Sequence, residues 1–157
     1  MKPATISFIR QELKNRPPDQ LFEMCLRLAR FKKENKELLT YLLFEADDEQ
    51  AYIKSVKLEM DEMFTDINKS NIYFVKKSVR KILKITNKFI KYSGKKPTEV
   101  ELLIHFCVKL KTYEDMFAQS LSMQNIYSRQ IQKIKTTLNG LHEDLQFDYM
   151  NELKPLL

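Results

Sequence analysis

The chain has 157 residues, of which 43% are hydrophobic and 31% are charged, and its formal net charge is +6. This length and balance are typical of one globular domain and exclude a disordered chain. The sequence has only two glycines, whereas about 7% of residues are glycine in an average protein. A glycine-rich phosphate loop of the common nucleotide-binding kinds is therefore excluded.

Apolar residues recur at helical spacing along the chain and predict seven or eight helices. These helices span roughly 5–14, 18–32, 35–46, 47–67, 70–93, 98–117, 121–139 and 141–149. Short links between such helices indicate antiparallel neighbours. The sequence thus predicts a single all-α domain over residues 1–157, either a compact multi-helix bundle or a short superhelix like HEAT and armadillo arrays.

Each of the first four helices has an apolar stripe that is expected to face a core. The stripe residues are Ile6, Ile9, Leu13, Leu21, Phe22, Cys25, Leu28, Ala29, Leu38, Leu39, Leu42, Leu43, Ala46, Tyr52, Ile53, Val56, Met60, Met63, Phe64 and Ile67. Pro17 and Pro18 separate the first two helices, because proline is tolerated in a first turn. Asp47 and Gln50 have the spacing of a capping box and predict the start of the fourth helix.

The fifth and sixth helices are marked by capping signals. Ser70 is expected to cap the fifth helix at its start, and Gly94 to close it in a left-handed conformation. Pro97 prevents its continuation. The stretch 98–101 has the capping-box pattern and predicts the start of the sixth helix, whose apolar side includes Cys107 and Phe117.

The fifth helix carries most of the chain's positive charge. Residues 67–96 hold ten basic residues and no acidic one, whereas the rest of the chain holds 17 basic and 21 acidic residues. On a helical wheel, seven cations and one tyrosine share the arc opposite the apolar residues. We name this set, the candidate binding residues, the lysine face: Tyr73, Lys76, Lys77, Arg80, Lys81, Lys84, Lys88 and Lys91.

Three interpretations of the lysine face remain open at this point. It is a solvated surface whose lysines pair with acids such as Asp61, Glu62 and Glu114, or a site for a polyanion, above all nucleic acid, with Tyr73 stacking on a base. The third interpretation is a dock for an acidic protein or an anionic membrane surface, although the core needs the apolar half of this helix. The excess of lysine over arginine favours diffuse, sequence-independent attraction.

Catalytic and metal-ligating candidates are few, because the chain has only two histidines. Glu101 and His105 lie four residues apart, and residues 142–144 offer further ligands, but neither histidine has the Glu-x-x-His spacing of carboxylate-bridged metal bundles. Cys107 and His105 project to different sides of a helix, which is poor geometry for a nucleophile and its base. The sequence predicts no enzyme, no catalytic residue, no metal and no cofactor.

The sequence also bears on location. It contains no run of 18 apolar residues that would span a membrane, and its first residues lack the apolar core of a signal peptide. Cys25 and Cys107 are expected to be buried free thiols in a reducing compartment. The sequence therefore predicts a cytoplasmic, non-enzymatic helical protein that presents the basic helix at 70–96 to an acidic protein partner. The alternative is sequence-independent nucleic-acid binding through the same residues.

Overall fold

The computed structural model describes residues 1–113 and 120–157. Within these residues the secondary structure is helical, without a strand, which confirms the all-α prediction. The eight helices are α1 (Ile6–Lys14), α2 (Pro18–Phe31), α3 (Lys33–Thr40), α4 (Glu49–Thr65), α5 (Ile72–Ser93), α6 (Lys96–Lys111), α7 (Leu121–Leu138) and α8 (Glu143–Leu153). A π-helical turn at Tyr41–Glu45 and a 3-10 turn at Lys154–Leu156 complete the described elements. None of the described helices combines the length and the apolarity that crossing a membrane requires.

The chain divides into two compact units, Met1–Phe44 and Glu45–Leu157. In the first unit α2 packs against α3, and the side-chain amide of Asn35 donates to the carbonyl oxygen of Leu28 at 2.8 Å. The side chain of Thr5 caps α1 by accepting from the amide of Phe8. The prediction of a single domain over 1–157 stays a prediction.

The apolar stripes of the first unit remain largely uncovered. No residue of α1, α2 or α3 is buried, and Phe22, Leu28 and Phe31 are among the exposed apolar side chains. The prediction that the stripes of these three helices face a core is therefore wrong. The physical reason is size, because three short helices have too little surface to enclose their own apolar side chains.

In the second unit the apolar stripe of α4 is buried as predicted, at Tyr52, Ile53, Val56, Met60 and Phe64. Its start differs slightly from the prediction, because Asp48 is the cap. The carboxylate of Asp48 accepts from the amide of Ala51 at 3.0 Å.

Helix α6 is the centre of the second unit. It packs against α4, α5, α7 and α8, and its consecutive residues Leu102, Leu103 and Ile104 are all buried. Three successive residues of a helix point to different sides, so neighbouring helices enclose much of the circumference of α6. Contacts between helices distant in sequence, such as α6 with α8, match a bundle around a central helix rather than a superhelix of stacked pairs.

The start of α6 differs from the capping-box prediction. The helix begins at Lys96 with Pro97 in its first turn, a position where proline is tolerated. Thr98 is fully buried, and its hydroxyl donates to the Glu49 carboxylate at 2.5 Å. Ser93 and Lys95 also bind Glu49, so this one carboxylate fastens the link between α5 and α6 to the start of α4.

Candidate functional site

Helix α5 is set by local signals at both ends. The side chain of Asn71 caps its start by accepting from the amide of Tyr73 at 2.8 Å, so the prediction of Ser70 as the cap is off by one residue. Gly94 closes the helix with φ of +67°, and its amide donates to the carbonyl oxygen of Ile90 at 2.9 Å. The left-handed cap was predicted and is confirmed.

One side of α5 packs into the core, and the opposite side carries the cations. The buried residues are Val75, Val79, Ile82, Thr86 and Ile90. The Thr86 hydroxyl donates to the carbonyl oxygen of Ile82 at 3.0 Å, which satisfies the buried polar group. This anchoring holds the other side of the helix in a defined orientation.

The structure places the whole lysine face on this one helix. Tyr73 is 64% exposed. The exposed cations are Lys77, Arg80, Lys81, Lys84 and Lys91, whereas Lys76 and Lys88 are half-buried. The ammonium of Lys88 lies 5.0 Å from the ring centroid of Phe89 and 5.8 Å from that of Tyr92. Lys88 therefore contributes to packing as well as to charge.

The exposed cations of the lysine face have no carboxylate partner among residues 1–113 and 120–157. Asp61, one of the acids expected to pair with them, binds His105 at 2.6 Å and Lys109 at 3.0 Å instead. That expected pairing is wrong, and the Glu114 pairing lies outside the described residues, as does the inward position predicted for Phe117. Arg80 donates to the Ser122 hydroxyl at 2.8 Å, which leaves its charge uncompensated.

Helix α7 lies beside α5, a neighbourhood that sequence reasoning missed. Arg80 contacts Ser122, and Lys133 donates to the side-chain oxygen of Asn87 at 3.1 Å, so α5 and α7 run alongside each other in the same direction. Residues 120–142 contain three basic residues and no acidic one. The sequence shows that this stretch has no acidic residue, but it does not show that α7 lies next to α5.

An aromatic pair stands at the start of α5. Tyr73 and Phe74 are 64% and 44% exposed, and their rings meet edge to face with centroids 5.6 Å apart. Such exposed rings next to cations offer a stacking surface for a flat ligand.

The side chains considered as metal ligands, Glu101 and His105, bind other side chains instead. Glu101 accepts from Lys57 at 2.6 Å, and His105 binds Asp61. Burial by itself would raise the pKa of Asp61, but hydrogen bonds and charges from His105 and Lys109 outweigh it and lower the pKa. Burial raises the pKa of Tyr149, and the nearby carboxylate of Glu101 adds to this effect. No group of three metal-ligating side chains occurs in the described part of the chain.

His142 and the two cysteines differ in their exposure to solvent. His142 is exposed and caps α8, because its ring nitrogen Nδ1 accepts from the amide of Asp144 at 3.4 Å. Cys107 is buried, and burial raises its pKa to about 12. Cys25 is exposed, so the prediction of two buried thiols is wrong for this residue.

The chain matches no protein-family model, no curated protein and no solved structure with significance. The functional argument therefore rests on the geometry and the charge of these residues.

Proposed function

We propose that this chain is a non-enzymatic, cytoplasmic binding protein that presents the lysine face of α5 to an acidic protein partner. The supporting observation is that Lys77, Arg80, Lys81, Lys84 and Lys91 are exposed and have no carboxylate partner in the described residues. Cations that are free in the isolated chain are available to the carboxylates of another molecule.

The spacing of these cations also supports binding. Lys77 and Lys81, and Arg80 and Lys84, are like-charge pairs four residues apart, and each such pair costs a few tenths of a kcal/mol. A partner rich in carboxylates removes this repulsion. Because the core fixes α5 along its length, little ordering of the backbone is needed on binding.

The side-chain chemistry favours an acidic protein surface over a site for one precise group. Six of the seven cations of the lysine face are lysines. Lysine is a flexible point charge, whereas arginine makes the two-pronged contacts used for specific recognition of phosphate or carboxylate. A row of lysines therefore suits a broad run of Asp and Glu residues.

The cytoplasmic part of the proposal rests on the thiols. Cys25 and Cys107 are both free, and Cys25 is exposed. An exposed free thiol persists in a reducing compartment and is oxidised outside it.

Nucleic-acid binding is the second candidate, and the exposed pair Tyr73 and Phe74 favours it. Aromatic rings beside a positive surface bind single strands by stacking on bases while the cations neutralise phosphates. The neighbouring α7 contains no acidic residue, so it adds no carboxylate that would repel a strand bound beside it.

The test is fluorescence anisotropy of the full chain with three labelled probes: poly-L-glutamate, a single-stranded oligonucleotide and a duplex. We expect salt-sensitive binding of poly-L-glutamate. The variant Lys77→Glu/Lys81→Glu/Lys84→Glu should abolish it, because these exposed positions lie in the middle of the lysine face.

The matched control is Lys14→Glu/Lys36→Glu/Lys54→Glu, three exposed lysines outside α5. Each variant changes the formal net charge by six units, from +6 to 0, so a difference between them reports position rather than total charge. Equal loss in both variants would overturn the assignment to α5. Binding of the oligonucleotides only, weakened in the first variant together with a salt slope reduced by about 2 to 3, would replace the acidic partner by nucleic acid.

A further inference from the structure

A separate cavity of about 270 Å³ lies at the end of α5, beside the first turn of α6 and the middle of α7. The polar residues that line it are Asn87, Lys91, Lys95, Lys96, Glu99 and Lys133. Four of these are lysines and one is a carboxylate. Lys91, Lys95 and Lys96 come from the end of α5, the link and the start of α6, and Lys133 joins them from α7, far away in sequence.

The charges of this cavity are only partly compensated. Glu99 is bound by Lys133 at 2.7 Å, and Lys95 is bound by Glu49 at 2.8 Å. Lys96 reaches only the carbonyl oxygen of Gly140, at 3.4 Å. Lys91 has neither a hydrogen bond nor an ion pair within residues 1–113 and 120–157. Two cations on the cavity therefore lack a counter-charge there.

The wall of the cavity is held in place before any ligand binds. Lys133 donates to Asn87 at 3.1 Å as well as to Glu99, and the side-chain amide of Asn87 donates to the carbonyl oxygen of Leu83 at 2.9 Å. The first turn of α6 borders the cavity through Lys96 and Glu99. The amide dipoles at a helix start add partial positive charge to that contributed by the two lysines.

We propose that this cavity binds an oxyanion of the phosphate class, either inorganic phosphate or the phosphate group of a small monoester, between Lys91 and Lys96. A phosphate dianion matches two uncompensated ammonium groups, and lysine is a common phosphate ligand in proteins. The volume leaves room for a substituent on the phosphate. Lys91 belongs to both the lysine face and the cavity, whereas Lys96, Lys133 and α6 lie outside the lysine face, so the phosphate proposal can be tested separately from the function of that face.

The test is a titration of the isotope-labelled full chain, followed by NMR of the backbone amides at constant ionic strength. Inorganic phosphate and phenyl phosphate are the two probes, and sodium chloride is the reference. We expect saturable shifts at Gly94, Lys96 and Glu99. Tighter binding of phenyl phosphate would identify a monoester as the ligand, and equal binding would identify free phosphate.

The variant Lys91→Met/Lys96→Met should weaken phosphate binding at least ten-fold, because each lost charge-assisted hydrogen bond lowers affinity by about that factor. Lys36→Met/Lys54→Met removes the same charge at exposed positions that do not line the cavity, and should leave the affinity unchanged. Thermal melting of both variants checks that they are folded.

Shifts that are linear, spread over all lysines or equal in the two variants would overturn the proposal. The lysine-face variant Lys77→Glu/Lys81→Glu/Lys84→Glu separates the two proposals, because it should lose poly-L-glutamate binding and keep saturable phosphate shifts. A protein that binds poly-L-glutamate but shows no saturable phosphate shifts would refute the cavity alone.

Discussion

Two polar surfaces of the second unit differ in whether their charged side chains are paired. On one side, Lys57 binds Glu101, and Asp61 binds both His105 and Lys109. We call these five residues of α4 and α6 the ion-paired face. On the other side, the exposed cations of the lysine face have no carboxylate partner in the described residues. Both surfaces belong to helices that pack directly against each other.

The comparison shows that the burial of a charged side chain decides how much it needs a partner. The ion-paired face joins α4 to α6, and its side chains are half-buried, so an unpaired charge there would be costly. The exposed ammonium groups of α5 point into solvent, where an unpaired charge costs little. Lysines can therefore accumulate on α5 without disturbing the fold, and they stay available for a partner.

The largest effect on the free energy of unfolding is expected from truncating a buried side chain of α6, the helix against which both α4 and α5 pack. Phe106 is fully buried in α6, and its ring lies 5.6 Å from that of Phe64. Phe106→Ala should lower the free energy of unfolding by about 3 to 5 kcal/mol, through lost burial and a cavity. Urea denaturation measures it. Val108→Ala on the exposed side of α6 is the control, and a similarly small effect of both would contradict the central position of this helix.

Breaking one pair of the ion-paired face should have a smaller effect. Lys57→Met leaves Glu101 without the ammonium that now lies 2.6 Å away, and should cost about 1 kcal/mol in unfolding free energy. Lys54→Met, at an exposed position on the same helix, should change it little. Adding Glu101→Gln to Lys57→Met should recover part of the loss. Equal stability of the two lysine variants would mean that the pair does not stabilise the fold.

On the lysine face, by contrast, reversing one charge should increase the stability of the protein. Lys84→Glu places a carboxylate four residues from Arg80 and from Lys88, which replaces two repulsive pairs by attractive ones. We expect a gain of about 0.5 kcal/mol in unfolding free energy at low ionic strength, fading as salt is added. Chemical denaturation at two salt concentrations tests this. A loss of stability instead would reveal an acidic partner of Lys84 within the chain.

The ion-paired face should also give the protein an acid-sensitive component of stability. The bonds from His105 and Lys109 outweigh the effect of burial and hold the folded pKa of Asp61 below the ordinary value of an aspartate. A lowered pKa contributes stability that is present above the unfolded value and is lost as the pH falls through the folded value. Relative to Asp61→Asn, the wild type should therefore lose its advantage as the pH falls below the unfolded pKa of aspartate, about 4, and through the lowered folded pKa.

Urea midpoints measured from neutral to acid pH for both proteins test this expectation. Asp148→Asn, an exposed position on α8, serves as the control and should run parallel to the wild type. An advantage of the wild type that persists unchanged in acid would show that Asp61 contributes nothing through its charge.

Local signals explain what the sequence predicted well. The extent of α5 and its closure at Gly94 follow from a glycine at a position with φ of +67° and from a clean division of apolar and cationic residues. The buried stripe of α4 followed from spacing alone. The start of α6 was misjudged because Thr98 resembles a cap in sequence, whereas its hydroxyl serves Glu49, which lies 49 residues away.

Pairings between distant residues explain what the sequence did not predict. Asp61 could have paired with a lysine of α5 or with His105 and Lys109, and only the packing of α4 on α6 decides between them. Lys133 likewise reaches the cavity lined by Lys91 and Lys96 only in the folded chain. The amphipathic spacing in α1 and α2 correctly predicted helices. Spacing alone does not predict whether another surface covers their apolar side chains.

The position of Cys107 turns the protein into its own stability sensor. Its thiol is buried in α6, the helix on which α4, α5, α7 and α8 pack. A thiol reagent can therefore reach it only during a transient opening that exposes α6, so the labelling rate reports the free energy of that opening without an engineered label. The exposed Cys25 reacts in the same tube and supplies the rate for an accessible thiol. Any ligand that binds the folded second unit would slow the first rate and leave the second unchanged.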